Sequence, residues 1–123
     1  MVTLELPYPP SVNEIYANRK FGKGHGRYKS AKYKKWSAEA DAWMLKQKAD
    51  KTIGTPIKGP YEVVMVFSKD RRRWNSDLDN RVKVCSDALK RYGLIEDDRL
   101  CERLTASWAP VDGVFIRVHK WTE

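Results

Sequence analysis

Acidic residues and one lysine are grouped in the second half of the chain. Residues 77–80 read Asp-Leu-Asp-Asn, Lys83 follows Asp79 by about one helical turn, and residues 96–98 form a second acidic group. Carboxylate oxygens are hard ligands, and Mg²⁺ is usually bound through one or two carboxylates together with substrate phosphates. The grouping therefore indicates a divalent metal site of the kind that hydrolyses phosphodiesters.

The net charge of +8 comes from one segment of the chain. Between Arg19 and Lys35 there are eight lysines or arginines and no acid, so the rest of the chain has sixteen residues of each sign. A second basic stretch, residues 69–74, stands shortly before the first acids. Aromatic residues accompany both stretches, as on a surface that meets phosphates and bases. We therefore predict that DNA is bound by Arg19, Lys20, Lys23, Arg27, Lys29, Lys69, Arg71, Arg72, Arg73 and Trp74.

A purely structural role is the alternative for these basic residues. A solvated loop and helix start, with the aromatic residues facing the core, would show the same composition. An anionic membrane surface is a weaker alternative, because the run lacks a sustained apolar helical face. For Trp74, stacking on bases and ordinary packing of a loop aromatic are equally compatible with the sequence.

Length and composition favour one globular domain spanning residues 1–123. Apolar residues make up 41% and aromatic residues 11% of the chain, as in folded proteins. Cys85 and Cys101 are too few for a disulfide framework or a zinc site. No export signal and no apolar run of membrane-spanning length is recognisable. We therefore expect a reduced cytoplasmic protein without a membrane partner.

Hydrophobic periodicity predicts an α+β fold, a small mixed sheet with two helices in the approximate order β-α-β-α-β-β. One helix is expected over about 31–51, capped by Ser30, and the other from Ser76 to about 92, closed by Gly93. The strands are expected at 2–6, 61–67, 99–109 and 114–121.

Two connections are also predicted. The last two strands are expected to form an antiparallel hairpin turned at residues 110–113. Prolines in residues 7–18 predict turns without regular structure, and the glycines of 21–27 predict a flexible loop.

Asp79 has an alternative role in starting the second helix. Ser76 and Asp79 fit a capping box, and an acid in the first turn gains about 0.3–1 kcal/mol from the helix dipole. Lys83 would then be only its i,i+4 partner, worth a few tenths of a kcal/mol. That interpretation accounts for neither Asn80 nor the second acidic group, although spacing alone leaves both possibilities open.

Three motifs resemble those of one known family, the RusA-like Holliday junction resolvases, which are small crossover-junction endodeoxyribonucleases common in phages and prophages. The motifs are Leu6-Pro7-x-Pro9-Pro10-Ser11-x-Asn13-x-x-Tyr16, Asp77-Leu78-Asp79-Asn80-x-x-Lys83 with Asp87-Ala88-Leu89, and Gly93-Leu94-Ile95-x-Asp97-Asp98. The resemblance spans most of the chain. It departs from the family pattern at Arg81 and Val82, where an apolar pair is usual, and at Glu96, which is an extra acid.

The resemblance implies a homodimer that binds four-way DNA junctions and cuts two opposed strands with Mg²⁺, for which Mn²⁺ would substitute. Carried over by position, the catalytic residues would be Asp77, Asp79, Lys83 and Asp98. The metal would be held by Asp77, Asp79 and Asp98, and Asp97 aligns with a further acid that serves the metal or its surroundings.

Two rival functions use the same residues differently. A non-catalytic protein that binds branched or single-stranded DNA would need the basic run but not the acids. A structural or partner-binding protein would use the acids for capping and ion pairs. A nuclease with a wider range of branched substrates, including forks, flaps and D-loops, is a variant of the enzyme hypothesis.

Overall fold

The computed structural model describes residues 1–11, 16–18, 27–71 and 78–122. Two helices and a four-stranded mixed sheet make up the main body, which confirms the predicted α+β class. The helices are α1 (Ala31–Ala49) and α2 (Asp79–Arg91). The strands are β1 (Val2–Leu6), β2 (Tyr16–Asn18), β3 (Arg27–Lys29), β4 (Tyr61–Ser68), β5 (Cys101–Ala109) and β6 (Val114–Lys120). Two 3-10 turns cover Lys69–Arg71 and Asp98–Leu100.

β4 is the central strand of the sheet, whose order is β1-β6-β4-β5. It pairs antiparallel with β6 and parallel with β5. Its alternating residues Val63, Met65 and Phe67 are buried in one core with apolar residues of both helices, whereas Val64 and Val66 on the opposite face are half-buried. The apolar run of β4 fits a strand that is buried on one face of the sheet and half-covered on the other.

The predicted hairpin between the last two strands is wrong. β5 and β6 are consecutive in the chain but do not pair, because β4 lies between them. Residues 110–113 instead pass over the end of β4, where the Ser68 amide donates a 2.9 Å hydrogen bond to the carbonyl of Gly113. Turn residues show that the chain reverses, but they do not show whether another strand lies between the two strands that the turn connects.

A short antiparallel ladder that the sequence did not predict joins β2 to β3. The prolines in this part of the chain predict turns for residues 16–18, and that prediction is wrong. The predicted loop 21–27 falls almost wholly outside the described residues, and only its last residue, Arg27, is placed, at the start of β3.

Helix α1 covers the outer edge of β1. Ser30 caps the helix, as predicted, by accepting a hydrogen bond from the Tyr33 amide, and Tyr33, Trp36 and Ala40 are buried. Near its end, the Gln47 amide both accepts from the Glu5 N–H and donates to the Glu5 carbonyl, each at 2.7 Å. Gln47 thereby satisfies backbone groups that an exposed edge strand would leave open to other chains. Among the described residues, no helix is long and apolar enough to cross a bilayer.

Replacing Gly113 with alanine should destabilise the fold more than the same change at Gly59. Both glycines have positive φ, +66° and +78°, but a Cβ at 113 would overlap the Leu6 carbonyl oxygen, whereas nothing lies within 4 Å of one at 59. We expect a loss of about 1–2 kcal/mol for Gly59→Ala from backbone strain, and at least about 2 kcal/mol more for Gly113→Ala. Urea unfolding measures both, and equal losses would contradict the close approach of the 110–113 connection to β1.

Candidate active site

Helix α2 begins at Asp79. Leu78 occupies the cap position without a side-chain cap, and its carbonyl accepts hydrogen bonds from the amides of Arg81 and Val82. Ser76, the predicted start of the helix, lies outside the described residues. Asp79 is exposed in that first turn. Asp77, predicted as both a metal ligand and a catalytic residue, lies outside the described residues.

Lys83 connects the start of α2 to the second acidic group. It lies four residues after Asp79, so the two side chains project from the same face of the helix. Its Nζ is 2.8 Å from Oδ2 of Asp98, which is fifteen positions further along the chain. The structure thus brings three of the predicted site residues, Asp79, Lys83 and Asp98, to one side of α2.

The return of the chain depends on the end of α2. Gly93 closes the helix as predicted, with φ +73° and a hydrogen bond from its amide to the Lys90 carbonyl. The next amide, of Leu94, reaches back to the Leu89 carbonyl, which completes a Schellman motif. Leu94 and Ile95 are buried, and the contacts of Asp97 with Lys90 and of Asp98 with Lys83 show that the chain then runs back along α2.

Asp97 and Asp98 are adjacent in sequence but face different lysines. The Asp97 carboxylate lies 3.2 Å from Nζ of Lys90, whereas Asp98 contacts Lys83, two helical turns nearer the start of α2. Asp97 also caps the 3-10 turn by accepting from the Arg99 amide at 3.0 Å. That backbone hydrogen bond first, and Lys90 second, lower the pKa of Asp97 to about 2. Its predicted role at the metal therefore competes with a capping role that the structure shows.

Glu96, the extra acid of this chain, is used elsewhere. Its Oε1 accepts a 2.6 Å hydrogen bond from the Gly59 amide, which ties the returning segment to the connection before β4. Of the three consecutive acids, Asp98 is thus the one that contacts Lys83. The sequence alone leaves open which of them is a metal ligand.

Asp87 is a neighbour of Lys83 that was not among the predicted site residues. Its Oδ1 lies 3.0 Å from Lys83 Nζ, so the ammonium is shared by two carboxylates. Hydrogen bonds to Asp98 first, and to Asp87 second, raise the pKa of Lys83 above its usual range. The i,i+4 spacing of Lys83 and Asp87 in the sequence indicates this contact, because side chains four residues apart on a helix are neighbours.

Only part of the predicted DNA-binding surface falls within the described residues. Lys69 and Arg71 are exposed on the 3-10 turn after β4, and Arg27 and Lys29 belong to β3. The remaining six lie outside the part of the chain that the structure describes: Arg19, Lys20, Lys23, Arg72, Arg73 and Trp74.

Tyr8 links the basic turn to α2. The guanidinium of Arg71 lies 5.0 Å from its ring centre, and that of Arg81 lies 4.7 Å away. Arg81 also donates a 2.6 Å hydrogen bond to the Pro9 carbonyl. The departure from the family pattern at Arg81 therefore has a structural use, since this residue fastens the N-terminal proline segment to the first turn of α2.

The arrangement suits a divalent cation in the chemistry of its donors. Asp79 and Asp98 supply hard carboxylate oxygens, and a positive charge already lies against Asp98 in the form of the Lys83 ammonium. Within the described ranges, no three histidine, cysteine or acidic residues are grouped closely enough to hold a metal. The third ligand implied by the sequence is Asp77, which precedes Asp79 by two positions and is not described.

The stability of wild type should fall as the pH drops from about 4 to about 2, partly through Asp97. Its pKa is lower in the folded chain than the ordinary 3.8, so its contribution is present above pH 4 and lost as the carboxylate is protonated. In Asp97→Asn the melting temperature should therefore change less with pH over this range. Lys90→Met should retain most of the pH dependence of wild type, because the hydrogen bond from the Arg99 amide remains. An unchanged slope in Asp97→Asn would contradict the capping role.

Comparison with known proteins agrees with this geometry. The family model for endodeoxyribonuclease RusA matches residues 7–119, which include both acidic groups and the lysine. A crossover junction endodeoxyribonuclease rusA of Enterobacteria phage HK97 is 34% identical over 93 residues, covering 76% of this chain and 70% of the phage protein. From the extent of both matches, the chain belongs to the RusA family of endodeoxyribonucleases.

Proposed function

We propose that this chain is a divalent-metal-dependent endonuclease that resolves four-way DNA junctions by paired nicks as a homodimer. The observation that supports it most strongly is the contact between Lys83 and Asp98, which gathers acids from two elements around one lysine. Membership in a family of endodeoxyribonucleases supports the same conclusion.

Asp77, Asp79 and Asp98 would hold Mg²⁺, or Mn²⁺ in its place, with Asp97 as a less favoured ligand because of its capping hydrogen bond. Bound there, the cation would supply contact to the scissile phosphate and a lowered pKa for an attacking water. Asp79 contributes from the first turn of α2, and Asp98 from a 3-10 turn that follows the buried Leu94 and Ile95. Such supports keep the carboxylates in position, as a catalytic site requires.

Lys83 would act as a positive charge and hydrogen-bond donor, not as a base. Its two carboxylate neighbours raise its pKa, so the side chain stays an ammonium at neutral pH. An ammonium has three N–H donors, and the two contacts leave one for a phosphate oxygen or a water. Either use would stabilise the extra negative charge that develops as the phosphodiester is cleaved.

The surface beside this site would bind the DNA backbone. Exposed Lys69 and Arg71 lie on the turn that leads from β4 toward α2, and Arg71 shares the Tyr8 ring with Arg81 of the helix itself. Positive charge on this surface would offset the repulsion between the acids of the site and the phosphates of the DNA. Phosphate contacts of this kind fix the position of the DNA without selecting its sequence.

A homodimer would account for paired cuts. One site of this type can cut one strand at a time, so two opposed cuts in one junction need two sites. A two-fold dimer places identical sites on symmetric strands. A second candidate function is a nuclease for forks, flaps or D-loops, since the same carboxylates and basic surface would serve any branched DNA.

Replacing either described carboxylate should abolish cleavage without abolishing binding. We expect Asp79→Asn and Asp98→Asn to cut a labelled four-way junction in Mg²⁺ at least about 1000-fold more slowly, because metal contacts stabilise the transition state by several kcal/mol. Junction binding should persist, since the phosphate contacts are intact. Single-turnover cleavage and gel-shift assays measure the two effects.

The exposed Asp112, in the connection between β5 and β6, provides the matched control. Asp112→Asn should cleave at the wild-type rate. Tight junction binding by wild type with no cleavage in Mg²⁺ or Mn²⁺ would favour the non-catalytic DNA-binding alternative. Equal cleavage of junctions, forks and flaps would favour the broader nuclease.

Lys83→Met should reduce the single-turnover rate by about 100-fold or more, the usual effect of removing one preorganised donor from a transition state. Lys83→Arg should recover part of the loss, because arginine keeps the charge but not the geometry of an ammonium. Binding of the junction should change by only a few-fold in either variant, as expected for one phosphate contact among many. A Lys83→Met rate close to wild type would show that Lys83 is only an ion-pair partner.

A further inference from the structure

Asp87 lies in contact with the lysine of the proposed site and has no part in the proposed function. Lys83 Nζ is 3.0 Å from Asp87 Oδ1 and 2.8 Å from Asp98 Oδ2. The two carboxylates belong to different elements, because Asp87 is on α2 with Lys83 and Asp98 is on the following 3-10 turn. The lysine is therefore held once by its own helix and once by a separate segment.

The two contacts of Lys83 would respond differently to a bound cation. A divalent ion bound to the Asp98 carboxylate would compete with the Lys83 ammonium for that negative charge. It would also repel the ammonium. Asp87 is not among the proposed metal ligands, and its distance from Lys83 is set by one turn of the same helix. The contact with Asp87 is thus the one that can survive metal binding.

Lys83 needs such a second contact to stay at the site. Its side chain is 53% exposed and has a long flexible stem, so an ammonium released by Asp98 would otherwise move into solvent. Asp87 and Asp98 carry two negative charges against the one positive charge of Lys83, so either carboxylate can pair with the ammonium while the other binds a cation. A cation on Asp98 would therefore leave Asp87 as the partner of Lys83.

We propose that Asp87 is a positioning residue, which retains the Lys83 ammonium beside the reacting phosphate while Asp98 is engaged by the divalent cation. This inference rests on the proposed function, because it assigns Asp98 to the metal and Lys83 to the transition state. The competing hypothesis is a plain helix-stabilising ion pair. Such a pair would affect stability slightly and leave the reaction unchanged.

A double-mutant cycle separates the positioning role from the plain ion pair. Asp87→Asn should lower the single-turnover rate on a four-way junction in saturating Mg²⁺ by about 10–100-fold, with the junction Kd changed by less than about two-fold. In a Lys83→Met background the same change should have no further effect, since Asp87 acts only through the lysine. Independent losses in the two backgrounds, or no loss in Asp87→Asn, would overturn the proposal.

Two further variants make the cycle specific. Asp87→Glu keeps a carboxylate within reach of Lys83 and should recover most of the rate. Asp41→Asn removes a comparably exposed ion pair, that of Asp41 with Arg91, and should cleave like wild type. Failure of Asp87→Glu to exceed Asp87→Asn would contradict a role that depends on the carboxylate.

Nuclear magnetic resonance of the Lys83 ammonium gives a measurement that does not depend on cleavage. With Mg²⁺ alone as the probe, the Nζ signal of wild type should stay protected from exchange with water. In Asp87→Asn it should be protected without Mg²⁺, through Asp98, and lost when Mg²⁺ is added. If wild type cut no junction, the proposed function would fail while this experiment still decided the behaviour of Lys83. Protection that persists in Asp87→Asn with Mg²⁺ would overturn the proposal.

Discussion

The position of Asp98 relative to Lys83 is the constraint on which the candidate site depends, and the backbone sets it more than the ion pair does. An exposed ion pair contributes about 0.2–1 kcal/mol, whereas burial of a leucine or isoleucine side chain contributes about 1.5–3 kcal/mol. Leu94 and Ile95 are both buried directly after the reversal at Gly93. Their packing, with the Schellman closure of α2, returns the chain along the helix and presents the acid to the lysine.

A second group of contacts depends on the end of the central strand. Phe67, near the end of β4, is fully buried and packs against Tyr8 and Trp108 with ring centres 6.5 and 6.2 Å apart. The guanidiniums of Arg71 and Arg81 lie over the Tyr8 ring in turn. One aromatic group therefore joins the N-terminal segment, the basic turn after β4 and the first turn of α2. Residues far apart in sequence thus become neighbours through this packing.

The sequence predicted those features that local physics determines. Ser30 at the start of α1, Gly93 at the end of α2 and the apolar run of β4 each carry a signal within a few residues, and each lies where expected. Features that depend on distant partners were missed. The placement of β4 between β5 and β6 is a property of the whole sheet, which the residues of no single strand show.

The candidate site shows the same division. Acid and lysine types, with their spacing, indicated the chemistry, but nothing in three consecutive acids distinguishes one from another. Their contacts do so in the folded chain: Glu96 with the Gly59 amide, Asp97 with the Arg99 amide and Lys90, and Asp98 with Lys83. Only the path of the returning segment beside α2 assigns these partners, and that path follows from tertiary packing.

The most direct test of a single metal site formed by α2 and the returning segment is a titration of the protein with Mn²⁺ followed by backbone amide resonances. Paramagnetic broadening should centre on residues 78–83 and 98–100 and should disappear in Asp98→Asn. Broadening centred on Gly59 and Glu96, or none at all, would show that the carboxylates gathered around Lys83 do not hold a metal.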